Sequence, residues 1–387
     1  MKEKILFSDL NTLYICPSQS WGTLERKALA DCLIHRDMGG NPHLFCLKDS
    51  KLNEEAIKWD IKTINYTGKK VNQLIDFRYF LDLRKLFKSI NFDLVHCYNL
   101  GFIWEVCFLL KAKPSIPLLF TFNDYLDSPQ NTFMQSWLFK RVDQLLVFSH
   151  TMKETAQETL PVSNRRIKIS GNGVDTIKKE QDRDLNIKNL NCVVTSPADL
   201  EQVKSIIYAL KSLNNSVEDL NFKLNLNVYS MTHIERFEEY EKTISLGHDN
   251  QLSESVHFFK VTSEAEAFKN ADIFIGTAFN EPFNDYEMTA MISKVPVLLP
   301  RTASRQFILS QYKWTGESYY FSDSREIKSK LLKILLNDQT YLNELDSQHQ
   351  AFVDNHGLDA YVSRLIGFYE KNYSKRQNLS RALERNN

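Results

Sequence analysis

The chain has 387 residues, enough for two domains of ordinary size that each bury their own core. Its 48 basic and 48 acidic residues balance, which argues against a nucleic-acid binder driven by bulk charge. The six cysteines form no CxxC pair and no zinc-like spacing, which favours reduced, buried thiols. We find no signal-peptide pattern and no apolar run near the roughly 20 residues that span a bilayer, so we expect a cytoplasmic protein.

Apolar strands alternate with amphipathic helices along most of the chain, the pattern of a parallel α/β sheet. A strand near Lys4–Phe7 precedes a helix over about 23–36, which should end before Gly39. A further helix is predicted from about residue 152. The other strands predicted in this half are 44–47, 93–96, 117–121, 144–149 and 167–169.

A polar stretch over 177–189 lacks an apolar period, and we interpret it as an interdomain linker. It separates a first domain, 1–176, from a second domain, 190–357. We expect the C-terminal helix and tail, 358–387, to cross back to the first domain. The elements predicted after the linker are strands at 192–195, 224–228, 256–258, 273–275 and 295–299 and helices at 200–213, 324–336, from about 341, and 358–373.

The stretch from Ala271 to Leu299 is the most informative part of the chain. A strand at 273–275 ends in a polar loop that carries Glu281, and a helix follows. A carboxylate at the carboxyl end of a strand lies where open α/β sheets bind ligands. The helix N-terminus that follows attracts anions such as a diphosphate.

This stretch resembles the donor-binding segment of family 4 glycosyltransferases. The matching residues are Glu281, Pro282, Phe283, Ala290, Met291, Pro296 and Val297. Thr289 stands where the family has a second Glu, and Lys294 stands where it has a Gly. Shorter similarities follow in the family's order at 21–26, 93–96, 121–124 and 172–175.

The resemblance implies an α/β protein of the GT-B class, with two Rossmann-like domains facing a central cleft. It implies transfer of a sugar from a nucleoside-diphosphate sugar to an envelope glycan or lipid, with retention of configuration. No Asp-x-Asp pair follows a suitable strand, so we expect neither a metal nor a cofactor beyond the nucleotide-sugar co-substrate. We expect no nucleic-acid partner.

Residue by residue, the resemblance implies three sets of site residues. The catalytic candidates are Glu281 and Asn123. The donor-binding candidates are Gly22, Pro282, Phe283, Thr289, Ser196, Arg301 and Arg305, and the acceptor-side candidates are His96 and Asp124. His96 has an alternative interpretation as a hydrogen-bonded structural histidine, and Arg301 and Arg305 as ordinary surface arginines.

A second hypothesis is a non-catalytic GT-B protein that binds or stabilises another enzyme, its protein partner. Ser196 and Glu201 stand where the family has an Arg and a Lys that hold the diphosphate. Asn123 replaces a His and cannot exchange a proton near neutral pH. A sugar-nucleotide epimerase on the same fold is a third alternative.

The segment 76–88 mixes aromatic residues with Arg78, Arg84, Lys85 and Lys88. This composition is typical of an amphipathic helix that rests on an anionic membrane, which would make the protein peripheral on the inner face of a membrane. The alternative is a helix that packs on the sheet and exposes its basic side chains to solvent.

Overall fold

In a computed structural model of the chain, the structure describes residues 6–68, 77–98, 100–123, 129, 132–174, 189–195, 200–216, 223–230, 256–260, 267–269, 271–277, 285–302, 305–306, 309–310, 317–336 and 349–385. The chain forms two compact units. Unit 1 is Met1–Asn172 with Tyr361–Asn387, and unit 2 is Gly173–Ala360. The predicted linker falls outside the described residues, apart from Asn189, which begins a strand.

Unit 1 is built on a parallel sheet of seven described strands in the order β3-β2-β1-β4-β5-β6-β7. Helices lie between successive strands, as parallel crossovers require. The strands are β1 Asn11–Cys16, β2 Asn41–Leu47, β3 Lys62–Tyr66, β4 Leu94–Cys97, β5 Leu118–Thr121, β6 Gln144–Val147 and β7 Ile167–Ile169. The helices are α1 Thr23–Asp37, α2 Lys51–Lys58, α3 Phe77–Ser89, α4 Ile103–Lys111, α5 Phe133–Phe139 and α6 His150–Thr159.

The first strand lies later than the sequence predicts. Phe7–Asp9 forms a short 3-10 helix, and the strand is Asn11–Cys16. Both segments carry an apolar run, but only the later one lies six residues before α1, a normal length for a strand-to-helix loop. The strand prediction was therefore wrong at Leu6 and Phe7, and the rest of the predicted strand, Lys4 and Ile5, lies outside the described residues.

Unit 2 is built on a second parallel sheet, of six described strands in the order β10-β9-β8-β11-β12-β13. Its strands are β8 Asn189–Thr195, β9 Lys223–Ser230, β10 Val256–Lys260, β11 Ile273–Ile275, β12 Val297–Pro300 and β13 Glu317–Tyr319. Its helices are α7 Leu200–Ser216, α8 Asp285–Ile292 and α9 Ser324–Leu336. The final helix of the chain, α10, is Leu358–Arg385. Both sheets are covered by buried aliphatic and aromatic side chains, and all six cysteines are buried and outside any disulfide.

An aspartate precedes a strand three times and pairs with the backbone of the neighbouring strand. Asp93, before β4, accepts from the Asn11 amide at 2.9 Å and donates its own amide to the Asn11 carbonyl. Asp143, before β6, does the same with Leu118, and Asp272, before β11, with Asn191. These carboxylates lie at the amino ends of the strands, so they hold the sheet together rather than face a ligand site.

Helix α10 packs against unit 1 along most of its length. Tyr361, Leu365 and Tyr369 are buried in the unit 1 core. Asn372 donates to Gln144, and Arg376 pairs with Asp143 at 2.7 Å. The sequence analysis ends this helix at residue 373, but the helix continues to Arg385, so the predicted tail is helical up to that residue.

Lys294 ends α8 in a left-handed conformation, with a φ of 55°. Its amide donates to the Met291 carbonyl and the Val295 amide donates to the Ala290 carbonyl, which together form a Schellman motif. Glycine is the usual residue at this position because it has no Cβ to clash. The structure thus gives a local reason for the glycine that the family shows here.

Substitution of Lys294 tests that backbone conformation. We expect Lys294→Gly to keep or raise the free energy of unfolding of unit 2. We expect Lys294→Val to lower it by about 1–2 kcal/mol, because a β-branched side chain is strained at positive φ. Urea unfolding of both variants measures the difference, and equal stabilities would contradict the left-handed assignment.

Candidate functional site

Each sheet has one point at which the strand order reverses, and open α/β sheets bind ligands at that point, outside the carboxyl ends of the strands. In unit 1 the reversal lies between β1 and β4, and in unit 2 between β8 and β11. The residues that follow these strands are therefore the first candidates for ligand contact. They include Gly22 beyond β1, Ser196 beyond β8 and Gly276 beyond β11.

Gly22 lies at the start of α1, beyond the carboxyl end of β1. Its amide donates to Glu25 Oε2 at 2.8 Å, and the Ser20 hydroxyl donates to Glu25 Oε1 at 2.7 Å. Glu25 is buried, and its carboxylate caps the N-terminus of α1 by accepting from the Gly22 amide. The Gly-Thr-Leu-Glu-Arg segment therefore fixes the loop between β1 and α1, and Gly22 as a donor contact stays a prediction.

Lys27 connects α1 to the end of unit 1. Its ammonium donates to the Asn172 carbonyl at 2.6 Å, lies 3.8 Å from Asp31 Oδ1, and sits 3.1 Å from the centre of the Tyr361 ring. The Asn172-Gly173 turn follows at once, and Gly173 has a φ of 67°. A buried lysine therefore holds this turn in place, which favours a structural role for Asn172 and Gly173.

His96 is fully buried in unit 1. Its Nε2 is 2.8 Å from the Thr121 hydroxyl, and its Nδ1 is 2.7 Å from the Tyr369 hydroxyl and 2.9 Å from the Tyr98 hydroxyl. Tyr98 in turn donates to Asp31. These contacts fit the interpretation of His96 as a hydrogen-bonded structural histidine. None of its surface is exposed to an acceptor substrate.

The buried state of His96 gives a pH dependence to the stability of unit 1. Burial, followed by the positive charge of Lys27, lowers the pKa of His96 from 6.5 to about 3. Below pH 6.5 the unfolded chain therefore binds a proton that the folded chain excludes. The contribution to stability is complete above pH 6.5 and is lost, by at most about 1.4 kcal/mol per pH unit, as the pH falls toward 3.

We expect His96→Gln, which cannot titrate, to remove that pH dependence. The variant is less stable than the parent chain at neutral pH, and the difference shrinks as the pH falls to about 4. Urea unfolding at a series of pH values measures it. A difference that stays constant with pH would contradict the buried, neutral histidine.

The carboxyl edge of the unit 2 sheet contains a buried ion pair. Glu287 on α8 and Arg305 both have side chains with 0% exposure. Arg305 Nε donates to Glu287 Oε1 at 2.8 Å, and Arg305 Nη2 lies 2.7 Å from the same oxygen. Thr302 Oγ1 accepts from Arg305 Nη1 at 3.2 Å. Both charges are therefore neutralised inside the protein.

Gly276, directly after β11, makes room for this pair. A Cβ on Gly276 would lie 2.9 Å from Glu287 Oε1 and 3.1 Å from Leu299 Cδ2. The Tyr319 hydroxyl donates to the Gly276 carbonyl, so the β13 strand is fixed to the same edge. Burial, followed by the negative charge of Glu287, raises the pKa of Tyr319. The edge is thus a packed, polar cluster formed by three strands and α8.

Arg301 follows β12 and is partly exposed. Its Nη2 donates to Glu326 Oε1 at 3.0 Å, and its guanidinium lies 4.2 Å from the centre of the Tyr320 ring. Glu326 Oε2 also accepts from the Tyr320 amide. Of the two arginines predicted to hold a diphosphate, Arg301 therefore has a partly exposed side chain and Arg305 a fully buried one. The burial of Arg305 favours a structural role over the predicted phosphate contact.

The remaining predicted residues fall into three groups. Thr289 is buried on α8, and Glu201 is exposed and pairs with Lys204 at 2.7 Å. Asn123 is half-buried, two residues beyond the end of β5. The predicted residues that lie outside the described parts of the chain are Glu281, Pro282, Phe283, Ser196 and Asp124. Their roles stay predictions.

The sequence analysis did not identify Glu287, which lies in the buried ion pair at the carboxyl edge of the unit 2 sheet. The family pattern directs attention to Thr289, and Glu287 is two residues earlier, where no motif marks it. Its partner Arg305 is 18 residues away, beyond a strand.

Among the described residues, no group of three His, Cys, Asp or Glu side chains is arranged to hold a metal ion. No described helix is long and apolar enough to cross a membrane.

A family model matches part of the chain. Residues 28–178 match the model of Glycosyltransferase Family 4. No curated protein sequence matches the chain.

Solved structures match nearly the whole length of the chain. A glycosyltransferase from Rickettsia africae is 15% identical, with a TM-score of 0.75, and the match covers 94% of this chain and 98% of that one. Anabaena HepE, crystallised with UDP, is 14% identical with a TM-score of 0.73, and the match covers 94% and 100%. WaaG, a glycosyltransferase involved in lipopolysaccharide biosynthesis, is 16% identical with a TM-score of 0.60, and the match covers 92% and 99%. The chain therefore has the GT-B fold and resembles the family 4 glycosyltransferases, whose family model it matches over residues 28–178.

Proposed function

We propose that the protein is a glycosyltransferase that transfers a sugar from a nucleoside-diphosphate sugar to an envelope glycan or lipid. The observation that carries the proposal is the reversal of strand order between β8 and β11 in unit 2, which is followed along the chain by Ser196 and by the Glu281 segment. HepE, which has the same fold, was crystallised with UDP and with UDP-glucose. A nucleotide-sugar donor at this edge is the best-supported ligand.

In this proposal Glu281 orients the donor hydroxyl groups, and the start of α8 faces the leaving diphosphate. Partial positive charge at a helix N-terminus favours an anion, and Arg301 supplies a further cation from the end of β12. Asn123 contacts the reacting sugar from unit 1. Catalysis proceeds with retention of configuration, without a metal and without a cofactor.

A specific observation favours the non-catalytic alternative. Arg305 is neutralised by Glu287, Glu201 pairs with Lys204, and Arg301 is engaged by Glu326. These are three of the four positions at which the sequence analysis looks for diphosphate contacts, and the fourth, Ser196, lies outside the described residues. A charge-assisted contact to phosphate contributes roughly 1.5–3 kcal/mol, so a site without them binds donors weakly.

Release of the nucleoside diphosphate separates the two proposals. The protein is incubated with each common sugar nucleotide and a lipid or glycan extract, with and without EDTA, and the free nucleotide is measured. Turnover that EDTA leaves unchanged, and that Glu281→Gln and Arg301→Ala each reduce, supports the transferase. Absence of turnover with every donor, from a protein that is folded, would leave the non-catalytic subunit as the function.

A further inference from the structure

Arg301 and Tyr320 lie side by side at the carboxyl edge of the unit 2 sheet. They follow the neighbouring strands β12 and β13, and the Arg301 amide donates to the Tyr319 carbonyl at 2.7 Å. The Arg301 guanidinium lies over the Tyr320 ring, and that ring is exposed. Stacking on a ring leaves the N–H groups in the plane of a guanidinium able to bind an anion. The two residues therefore place a partly exposed cation at the edge where the donor is proposed to bind.

Glu326 is held in place by contacts that do not involve Arg301. It lies in the first turn of α9, where its amide donates to Asp323 Oδ1 at 2.9 Å. Its Oε2 accepts from the Tyr320 amide at 2.7 Å. A carboxylate in the first turn of a helix is also stabilised by the partial positive charge of the helix N-terminus. The negative charge of Glu326 therefore stays beside Arg301, whichever acceptor the arginine binds.

The contact with Glu326 satisfies only part of the Arg301 guanidinium. Nη2 donates to Glu326 Oε1 at 3.0 Å and to the Ser318 carbonyl at 3.5 Å. Nε is buried and has no acceptor in the described part of the chain. Both side chains of the pair are partly exposed, and an ion pair that water reaches contributes little to stability. A phosphate, which can accept from two N–H groups of one guanidinium, is the stronger partner.

We infer that Glu326 competes with the donor diphosphate for Arg301 and so sets how tightly unit 2 binds its nucleotide. A donor phosphate has to take the guanidinium from the carboxylate, or share it against the repulsion between two negative groups. Arg305 cannot respond in this way, because its pair with Glu287 is fully buried. The inference rests on the proposed function, since the competing ligand is the diphosphate of the donor. It makes the contact between Arg301 and Glu326 compatible with a working donor site.

Isothermal titration calorimetry with UDP, GDP and ADP tests the inference. We expect Glu326→Gln to bind the nucleotide that the parent chain prefers about three- to fivefold more tightly, the ratio that corresponds to an exposed ion pair. Damage to the fold does not produce tighter binding, so a gain separates competition from a merely structural role of Glu326. In a chain that already carries Arg301→Ala, the same substitution should change the affinity by less than about twofold.

Glu317→Gln is the matched control. Glu317 lies at the other end of β13, is 13% accessible, and pairs with Lys330 and Lys333. The substitution also removes one negative charge from unit 2, and it should leave the nucleotide affinity unchanged.

The outcomes separate the inference from the proposed function. Equal or weaker binding by Glu326→Gln, or a gain that persists in full beside Arg301→Ala, would overturn the inference and leave the donor site in place. A gain as large in Glu317→Gln would reveal an effect of net charge and would overturn it too. If no nucleotide binds to either the parent chain or Glu326→Gln, the proposed donor site fails and the inference fails with it.

Discussion

Glu287→Gln is expected to lower the free energy of unfolding of unit 2 by about 3–5 kcal/mol, because it leaves the Arg305 charge buried without a counter-charge. Both side chains have 0% exposure, so water cannot replace the lost partner. The substitution keeps the size and shape of the side chain, which separates the loss of charge from a loss of packing. Urea unfolding measures the total decrease in the free energy of unfolding, and hydrogen exchange of the β11 and α8 amides locates that decrease in unit 2.

The matched control is Glu326→Gln, in the pair with Arg301. That pair is partly exposed, with side chains 27% and 18% accessible, and should contribute no more than about 1 kcal/mol. Combining Glu287→Gln with Arg305→Met should restore most of the lost stability, since an apolar side chain needs no counter-charge. If Glu287→Gln lowers the free energy of unfolding by no more than Glu326→Gln does, the buried pair does not stabilise the sheet edge.

Removal of α10 is expected to leave unit 1 unfolded or close to it. A chain that stops after Ala360 loses Tyr361, Leu365 and Tyr369, each of which is at most 1% exposed. Burying a large apolar side chain contributes roughly 1.5–3 kcal/mol, so the three together approach the 5–15 kcal/mol that stabilises a typical domain. Asp31 and Asp143 also lose the hydroxyl of Tyr361 and the guanidinium of Arg376.

A chain that stops after Gln377 is the control for this truncation. It keeps every α10 side chain that is buried in unit 1 and removes residues of which most described side chains are exposed. Near-ultraviolet circular dichroism and limited proteolysis should find it as well folded as the full chain. Equal proteolytic resistance of the two truncated chains would show that α10 is an accessory to unit 1 and not part of its core.

Most strands could be predicted because a parallel sheet that is covered on both faces needs short, nearly continuous apolar runs. The strands at 167–169 and 273–275 and the helix over 324–336 lie where the sequence places them. The first strand was misplaced because two apolar runs compete at the N-terminus and only loop length separates them. Strands β3 and β13 were missed because their residues are largely half-buried or exposed.

The site was less predictable than the fold because burial and pairing depend on residues that are distant in sequence. Arg305 was a candidate phosphate ligand from its position beside Arg301, and nothing local indicates that Glu287 neutralises it. His96 ends a strand at the ligand edge, yet Tyr369, 273 residues later, covers it.

Binding of nucleotides to the intact protein tests the central claim, a donor site at the carboxyl edge of unit 2, most directly. Thermal unfolding is followed with UDP, GDP, ADP, CMP and their common sugar conjugates. A ligand that binds only the folded state adds roughly 2.7 kcal/mol at about 100 times its dissociation constant, which raises the unfolding temperature visibly. We predict a rise with the nucleotides of one base, reduced by Arg301→Ala. No rise with any of them at millimolar concentration would contradict the donor site and leave the chain as a non-catalytic protein of the GT-B fold.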